Sequence, residues 1–189
     1  MFSASDEKFM QAAIEQAKQI NLAQDVNPAV GAVLVNDAGE IVASGFHRGS
    51  GTAHAEVDAI SKVKDASGLT LYVTLEPCNN SGVTGPCSQA IVQAGIKKVV
   101  IGKLDDNPNK DCGVDYLTAN GFTVSSGLIV YQCAKLNDSW HFAHQKNRPW
   151  VIWKVATSLD GFIAASDGTS KWITGDVARD YVQDIRAGV

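Results

Sequence analysis

The stretch LTLYVTLEPC, residues 69–78, joins an apolar run to a proline and a cysteine. The apolar run over 69–75 predicts a strand, which Glu76-Pro77-Cys78 ends. A glycine-rich loop then leads to Cys87 across eight intervening residues. Residues 88–94 are predicted to form a helix that Gly95 closes. The sequence therefore predicts a strand, a loop and a helix, with one cysteine at each end of the loop.

Further elements are predicted on both sides of this unit. The apolar run over 29–35 and the turn after it predict a hairpin over 29–47. A helix near 52–64 would place His54 and Glu56 in its first turn. The predicted order is helix 5–22, strands 29–35 and 41–47, helix 52–64, strand 69–75, helix 88–94, strand 98–101, helix 113–120, strand 122–125 and helix 127–145. An α/β fold with a mixed sheet between two helical layers is the natural product.

Four residues carry the chemistry: His54, Glu56, Cys78 and Cys87. One imidazole and two thiols suit zinc, and three protein ligands leave the fourth tetrahedral position open, as in catalytic zinc sites. A His-x-Glu pair followed by Pro-Cys and a later Cys is typical of zinc-dependent nucleobase deaminases. The alternatives are a chance cluster without metal, or a structural zinc site in which His47 supplies a fourth ligand.

Composition and charge limit which partners and which cellular compartment are expected. The 189 residues carry a formal net charge of −4, which argues against nucleic acid as a partner. No apolar run is long enough to span a membrane, so no membrane association is expected. The N-terminus has no apolar segment of the secretory type, which predicts a cytoplasmic protein with reduced cysteines.

A second pattern follows a predicted linker at residues 146–149. Residues 150–155 are predicted to form a strand, 158–161 a turn and 174–186 a helix. Forty residues of this kind cannot bury their own surfaces well. We interpret residues 1–145 as one domain and residues 150–189 as the truncated start of another.

These residues resemble a known family. The stretches 27–33, 45–47, 54–57 and 72–78 are similar to the deaminase domain of bifunctional riboflavin biosynthesis proteins. Those proteins fuse a diaminohydroxyphosphoribosylaminopyrimidine deaminase to a 5-amino-6-(5-phosphoribosylamino)uracil reductase. The resemblance covers about residues 5–145, and the long interval between Cys78 and Cys87 is specific to it. Residues 154–161 and 170–175 resemble the opening of the reductase domain, which is itself similar to dihydrofolate reductase.

The resemblance implies a cytidine-deaminase-like sheet and a set of site residues. His54, Cys78 and Cys87 would hold Zn²⁺, and Glu56 would be the catalytic proton shuttle. The residues that match the family's substrate pocket are Asn27, His47 and Asn107. The substrate would be a phosphoribosylated pyrimidine, 2,5-diamino-6-(5-phosphoribosylamino)pyrimidin-4-one. A homo-oligomer is expected by analogy, and NADPH would serve only a complete reductase domain, so no reduction is expected of this chain.

One departure from the family leaves the substrate open. The family carries a basic residue between the two cysteines where this sequence has Val83. Either Arg48 supplies the missing charge or the substrate differs, for example another nucleobase or nucleotide. A non-catalytic zinc-containing binding module is an alternative from a different class, and Asn27 and Asn107 could each be ordinary turn residues.

Overall fold

The computed structural model describes residues 2–20, 27–80, 85–106 and 112–187. The chain divides into two compact units, Met1–Arg148 and Pro149–Val189. Elements of the first unit, in chain order, are α1 (Ala4–Ala17), β1 (Gly31–Val35), β2 (Ile41–Phe46), α2 (Ala55–Ile60), β3 (Thr70–Leu75), α3 (Cys87–Gln93), β4 (Lys98–Lys103), α4 (Gly113–Ala119), β5 (Thr123–Ser126), α5 (Val130–Lys135) and α6 (Asp138–Lys146). The second unit contains α7 (Asp176–Ala187).

The strands form one mixed sheet in the order β2-β1-β3-β4-β5. Strand β1 is antiparallel to both of its neighbours, and β3, β4 and β5 run parallel. The hairpin and the crossover helices α3 and α4 are where the sequence predicts them. Because β3 and β4 are parallel, the segments that follow their carboxyl ends lie at the same edge of the sheet.

The sheet buries a different apolar cluster on each face, which confirms the predicted three-layer α/β/α arrangement. Ala32 and Leu34 point into the cluster that α2, α3 and α4 cover. Val33 and Val35 point into the opposite cluster, beneath α1 and α5. All five residues of β1 are buried, as expected of a strand covered on both faces.

Two glycines let helices approach the sheet closely. A side chain at Gly31 would overlap the backbone of Ala13 in α1, and one at Gly45 would overlap the backbone of Ala55 in α2. Helix α1 begins earlier than predicted, because Ser3 caps it in a capping box with Asp6. Close packing at Gly45 sets the position of α2, whose first turn carries candidate site residues.

The single helix predicted over 127–145 is wrong. The segment forms two helices, α5 and α6, separated at Leu136 and Asn137. Asn137 leaves helical geometry at φ −132° and ψ 26°. Its side chain bonds the backbone of Ala29, a long-range contact that a helical periodicity cannot reveal.

The strand predicted over 150–155 is also wrong. Among the described residues of Pro149–Val189 there is no partner strand, and residues 150–157 have no regular structure. The predicted turn is present, with the Gly161 N–H donating to the Ser158 carbonyl at 3.0 Å. Large apolar side chains of this unit stay exposed, among them Trp153 at 88% and Trp172 at 69%, so they are not core residues of this unit.

Candidate metal centre and pocket

The pocket lies where two neighbouring strands part. Strands β1 and β3 pair as far as Ala32 and Val73, and then stop pairing. One step further, the Gly31 N–H donates to the hydroxyl of Thr74 at 3.1 Å rather than to a backbone carbonyl. The opening between the strands is lined by Asn27, Pro28, Val30, His47, His54, Glu56, Leu75, Glu76, Cys78 and Asp105.

The described residues enclose a small volume at this opening, about 90 Å³. Pockets that bury a whole drug-sized ligand measure roughly 300–1,000 Å³. The described part of the pocket therefore fits the reacting end of a ligand, such as one ring. A larger cleft of about 660 Å³ in the second unit contains none of the candidate site residues.

Three element ends bring the candidate metal ligands together. His54 is the N-cap residue of α2, Cys78 follows β3, and Cys87 is the first residue of α3. Each offers one ligand atom, and these atoms lie within 4.8 Å of one another. The sequence-predicted ligand set is thus assembled in space, at the pocket-side edge of the sheet.

One of the two separations of these atoms matches that of ligands on a tetrahedral zinc ion, and the other is shorter. His54 Nδ1 lies 3.1 Å from Cys87 Sγ and 3.5 Å from Cys78 Sγ. Ordinary Zn–N and Zn–S bond lengths at a tetrahedral angle put the two atoms of such a pair roughly 3.6 Å apart. His47 is not part of this group of ligand atoms, so the described residues offer three ligands rather than four.

The two thiols differ in their affinity for a proton. The pKa of Cys78 falls to about 4, because a hydrogen bond from Cys87 outweighs burial and His54 adds a further hydrogen bond. The pKa of Cys87 is raised far above its usual range by the same hydrogen bond and by burial. The backbone N–H of Cys87 also donates to Cys78 Sγ at 3.4 Å. The site therefore stabilises a thiolate at Cys78, the form that binds metal.

Glu56 lies beside this cluster without belonging to it. It sits in the first turn of α2, is only 3% exposed and lines the pocket. Burial, together with the nearby charge of Cys78, raises the pKa of Glu56 to about 7. A carboxyl group with such a pKa can both accept and donate protons near neutral pH.

Of the three predicted substrate-binding residues, two line the pocket. His47 is 4% exposed, and its Nδ1 lies 3.3 Å from the Ala53 carbonyl. Among the described residues, His47 Nε2 has no hydrogen-bond partner. Asn27 donates to the Ser50 hydroxyl at 2.8 Å. Asn107, like Val83, lies outside the described residues.

Arg48 forms an ion pair with Asp58 and does not line the described part of the pocket. Its guanidinium donates to Asp58 at 2.7 Å and stacks over the Phe46 ring at 4.4 Å. Asp58 also accepts from Lys62 at 2.9 Å and from the Phe46 N–H at 3.2 Å. Arg48 is not among the described residues that line the pocket. The arrangement does not favour Arg48 as the replacement for a basic residue at position 83.

Glu76 also lines the pocket, although it was not among the site residues predicted from the sequence. Its carboxylate accepts hydrogen bonds from the backbone N–H groups of Asp105 and Val114, each at 3.1 Å. The thiol of Cys112 donates to it at 3.0 Å. Glu76 therefore ties the end of β3 to the segment after β4 and to the start of α4. The available signal was a carboxylate directly after a buried strand, at the edge where parallel strands end.

A family model for the cytidine and deoxycytidylate deaminase zinc-binding region matches residues 3–103. The chain belongs to this deaminase family. Zinc is the metal of the family, and the ligand types described above suit it. A second family model, the RibD C-terminal domain, matches residues 149–189.

Within the deaminase family, the chain is similar to riboflavin biosynthesis proteins. It is 45% identical over 184 residues to riboflavin biosynthesis protein RibD of Actinobacillus pleuropneumoniae, covering 96% of this chain and 49% of the relative. The Synechocystis RibD is 41% identical, with 97% and 50% covered. The chain thus spans about half the length of the curated relatives it matches.

Solved structures agree with this membership. The Thermotoga maritima diaminohydroxyphosphoribosylaminopyrimidine deaminase/5-amino-6-(5-phosphoribosylamino)uracil reductase superposes with a TM-score of 0.89 at 44% identity, covering 96% of this chain and 53% of that one. Acinetobacter baumannii RibD gives 0.87 at 44% identity, with 97% and 52% covered. The dCMP deaminase of cyanophage S-TIM5 gives 0.52 at 28% identity, with 67% and 99% covered. None of the helices in the described residues has the length and apolar character needed to cross a bilayer.

Proposed function

We propose that this chain deaminates 2,5-diamino-6-(5-phosphoribosylamino)pyrimidin-4-one by hydrolysis, as a step of riboflavin biosynthesis. The observation that carries the proposal is the meeting of His54, Cys78 and Cys87 beside the buried carboxyl of Glu56. The similarity to RibD proteins along nearly the whole chain supports this substrate over other nucleobases. We assign the deaminase domain to residues 1–145, the linker to 146–149 and the start of a reductase domain to 150–189.

In this proposal each residue has one role. His54, Cys78 and Cys87 hold zinc, which when bound lowers the pKa of water to about 7 and polarises the reacting centre. Glu56 takes the two protons of the attacking water in turn. It gives one to the ring nitrogen and the other to the amino group, whose bond to carbon then breaks. The products are the ring carbonyl compound and ammonia.

His47 and Asn27 would bind the substrate rather than move its protons. When Nδ1 donates to the Ala53 carbonyl, His47 Nε2 is a buried acceptor, and a donor group of the substrate would satisfy it. Asn27 lines the same pocket. Asn107 remains a proposed contact, supported by the resemblance alone.

A homo-oligomer also stays a prediction. We place the enzyme in the cytoplasm, because two thiol ligands need a reducing compartment to stay unpaired.

The test of the proton shuttle is Glu56→Gln. Glutamine keeps the shape of the side chain but cannot carry a proton, so turnover should fall by roughly 10²–10⁴-fold while zinc content stays at the parent level. Cys87→Ser should instead lose zinc, which elemental analysis would show. Glu15→Gln, an exposed carboxylate on α1, is the matched control and should change neither quantity. Parent-like turnover in Glu56→Gln would refute the assignment.

The substrate itself is tested by measuring ammonia release. The purified protein is incubated with the diaminopyrimidine phosphoriboside, dCMP, cytidine, guanine and adenosine in parallel. Release from the phosphoriboside at the highest kcat/KM is expected. Preference for dCMP or another base would establish a different deaminase. Zinc binding without any release of ammonia would support the alternative of a binding module.

A further inference from the structure

We propose that Asn137 is a positioning residue of the deamination site. Its side-chain amide pairs with the backbone of Ala29 and so sets the place of the pocket wall that Asn27 and Pro28 form. The inference rests on the proposed function for its kinetic consequence, but not for its structural one. It adds a residue 108 positions away in sequence from the wall that it holds.

The contact is a two-point match between an amide side chain and one residue's backbone. Asn137 Oδ1 accepts from the Ala29 N–H at 2.6 Å, and Asn137 Nδ2 donates to the Ala29 carbonyl at 2.8 Å. Both residues are 2% exposed. Only a side chain with one donor and one acceptor in this spacing can satisfy both groups, and asparagine is the shortest that does so.

The pocket wall needs this partner because it no longer pairs with β3. After the last pair of β1 and β3, at Ala32 and Val73, no β3 backbone is available to the residues before Gly31. The Gly31 N–H donates to the Thr74 hydroxyl. The N–H and the carbonyl of Ala29 both bond the side chain of Asn137. Buried backbone groups without hydrogen-bond partners destabilise a fold, and Asn137 supplies the partners that a missing stretch of strand would have supplied.

The wall is held on its other side as well. The His47 N–H donates to the Val30 carbonyl at 3.1 Å, which extends the pairing of β1 with β2 by one step. The segment 27–30 therefore lies between His47 and Asn137. Two lining residues of the pocket, Asn27 and Pro28, directly precede Ala29. A shift of Ala29 would move both of them relative to His47.

The break between α5 and α6 leaves the Asn137 side chain available for this task. The backbone of Asn137 serves both helices, since its N–H donates to Ala134 at 3.0 Å and its carbonyl accepts from His141 at 2.9 Å. Asparagine at an N-cap usually bonds its own helix through its side chain. Here the side chain makes no capping bond and turns to Ala29 instead. Helix α6 therefore has no side-chain cap, and the Asn137 side chain holds the pocket wall instead.

The kinetic test is Asn137→Ala. Loss of both hydrogen bonds should raise KM for the phosphoriboside by about tenfold or more, with a smaller change in kcat, because the wall contributes binding rather than proton transfer. Zinc content should stay at the parent level, since no ligand is touched. Asn120→Ala, at the exposed end of α4, is the matched control and should leave KM unchanged.

The rescue test is Asn137→Asp across a pH series. A protonated aspartic acid offers one donor and one acceptor like the amide, whereas the carboxylate would face the Ala29 carbonyl with no donor. The KM of Asn137→Asp divided by the KM of the parent should therefore rise with pH, as the new carboxyl ionises. Lys135, Asp138 and His141 flank the position in all variants, so the ratio cancels their titration. A ratio that is flat with pH would contradict pairing through this amide.

Hydrogen exchange separates this inference from the proposed function. In Asn137→Ala, amide exchange in the peptide containing residues 27–31 should become faster, while exchange in β4 and zinc content stay as in the parent. A parent without deaminase activity would overturn the proposed function only, since exchange still tests the wall. Unchanged exchange at 27–31, or equal acceleration throughout the sheet, would overturn the positioning role.

Discussion

Asp6 ties the first helix to the sheet through both of its carboxylate oxygens. Oδ2 accepts from the N–H and the hydroxyl of Ser3, each at 2.8 Å, and Oδ1 accepts from the Tyr72 hydroxyl at 2.6 Å. Partial burial alone would raise the pKa of Asp6, but the hydrogen bonds from Tyr72 and Ser3 outweigh it and lower the pKa to about 2. One carboxylate thus serves both a helix cap and an anchor on β3.

Tyr72→Phe should destabilise the fold in a pH-dependent way. At pH 7 we expect a loss of about 1.5–3 kcal/mol in the free energy of unfolding, as for a hydrogen bond to a charged group. The folded pKa of Asp6 lies below its unfolded value, so the benefit is complete above about pH 4 and fades as pH falls towards 2. Denaturation at several pH values measures this, with the exposed Tyr131→Phe as control. A difference that stays constant down to pH 2 would contradict the coupling.

At the scale of elements, the packing of helix α2 fixes the position of two proposed site residues. Its N-cap is His54 and its first turn holds Glu56, so any displacement of the helix moves both. The helix lies directly against β2 at Gly45, where no side chain can be accommodated. Asp58 adds a second tie, because it accepts from the Phe46 N–H at the end of β2.

Gly45→Ala should therefore damage stability and activity together. The added methyl group would overlap the backbone of Ala55 and Ala59, so α2 must shift at a cost of roughly 1–3 kcal/mol or more. Thermal unfolding measures stability, and zinc content and turnover of the phosphoriboside measure the effect on the site. Gly121→Ala is the control, since its φ of +82° is unfavourable for alanine but nothing lies within 4 Å of the added group. Gly121→Ala should lower stability without changing zinc content or KM. If Gly45→Ala has the stability and activity of the parent, the close approach of α2 to β2 is unimportant.

These elements also show what a sequence can reveal. His54, Cys78 and Cys87 were recognisable because the ligand types and the spacing carry the chemistry in the chain itself. Asn137 was hidden, since its role depends on a partner 108 residues away and its neighbours keep a helical pattern. The strand predicted over 150–155 failed for a related reason: strand propensity becomes a strand only when a partner is present.

The whole molecule consists of two units with different degrees of burial. Every described residue proposed for the site lies in Met1–Arg148, which has an apolar cluster on each face of its sheet. Pro149–Val189 keeps large apolar side chains exposed, and α7 buries only Val182. The first unit has the core expected of an independent domain, and the second does not.

A chain ended after Arg148 should therefore keep the proposed deaminase activity. We expect zinc content, kcat and KM within about twofold of the full chain, because the site and its supports are retained. The full chain, assayed in parallel on the phosphoriboside, is the control. A shortened protein that keeps its circular dichroism spectrum but loses turnover would show that residues 149–189 contribute to the site.

The bond between Asn137 and Ala29 has a consequence for biosynthesis on the ribosome. Strands β1 to β5 are all made before residue 137 leaves the exit tunnel, so the sheet and the zinc ligands can assemble first. The mouth of the pocket acquires its final support only when the break between the last two helices of the unit emerges. On this order of synthesis, a nascent chain would acquire its metal ligands before its pocket wall is held in place, so metal binding would precede firm binding of substrate.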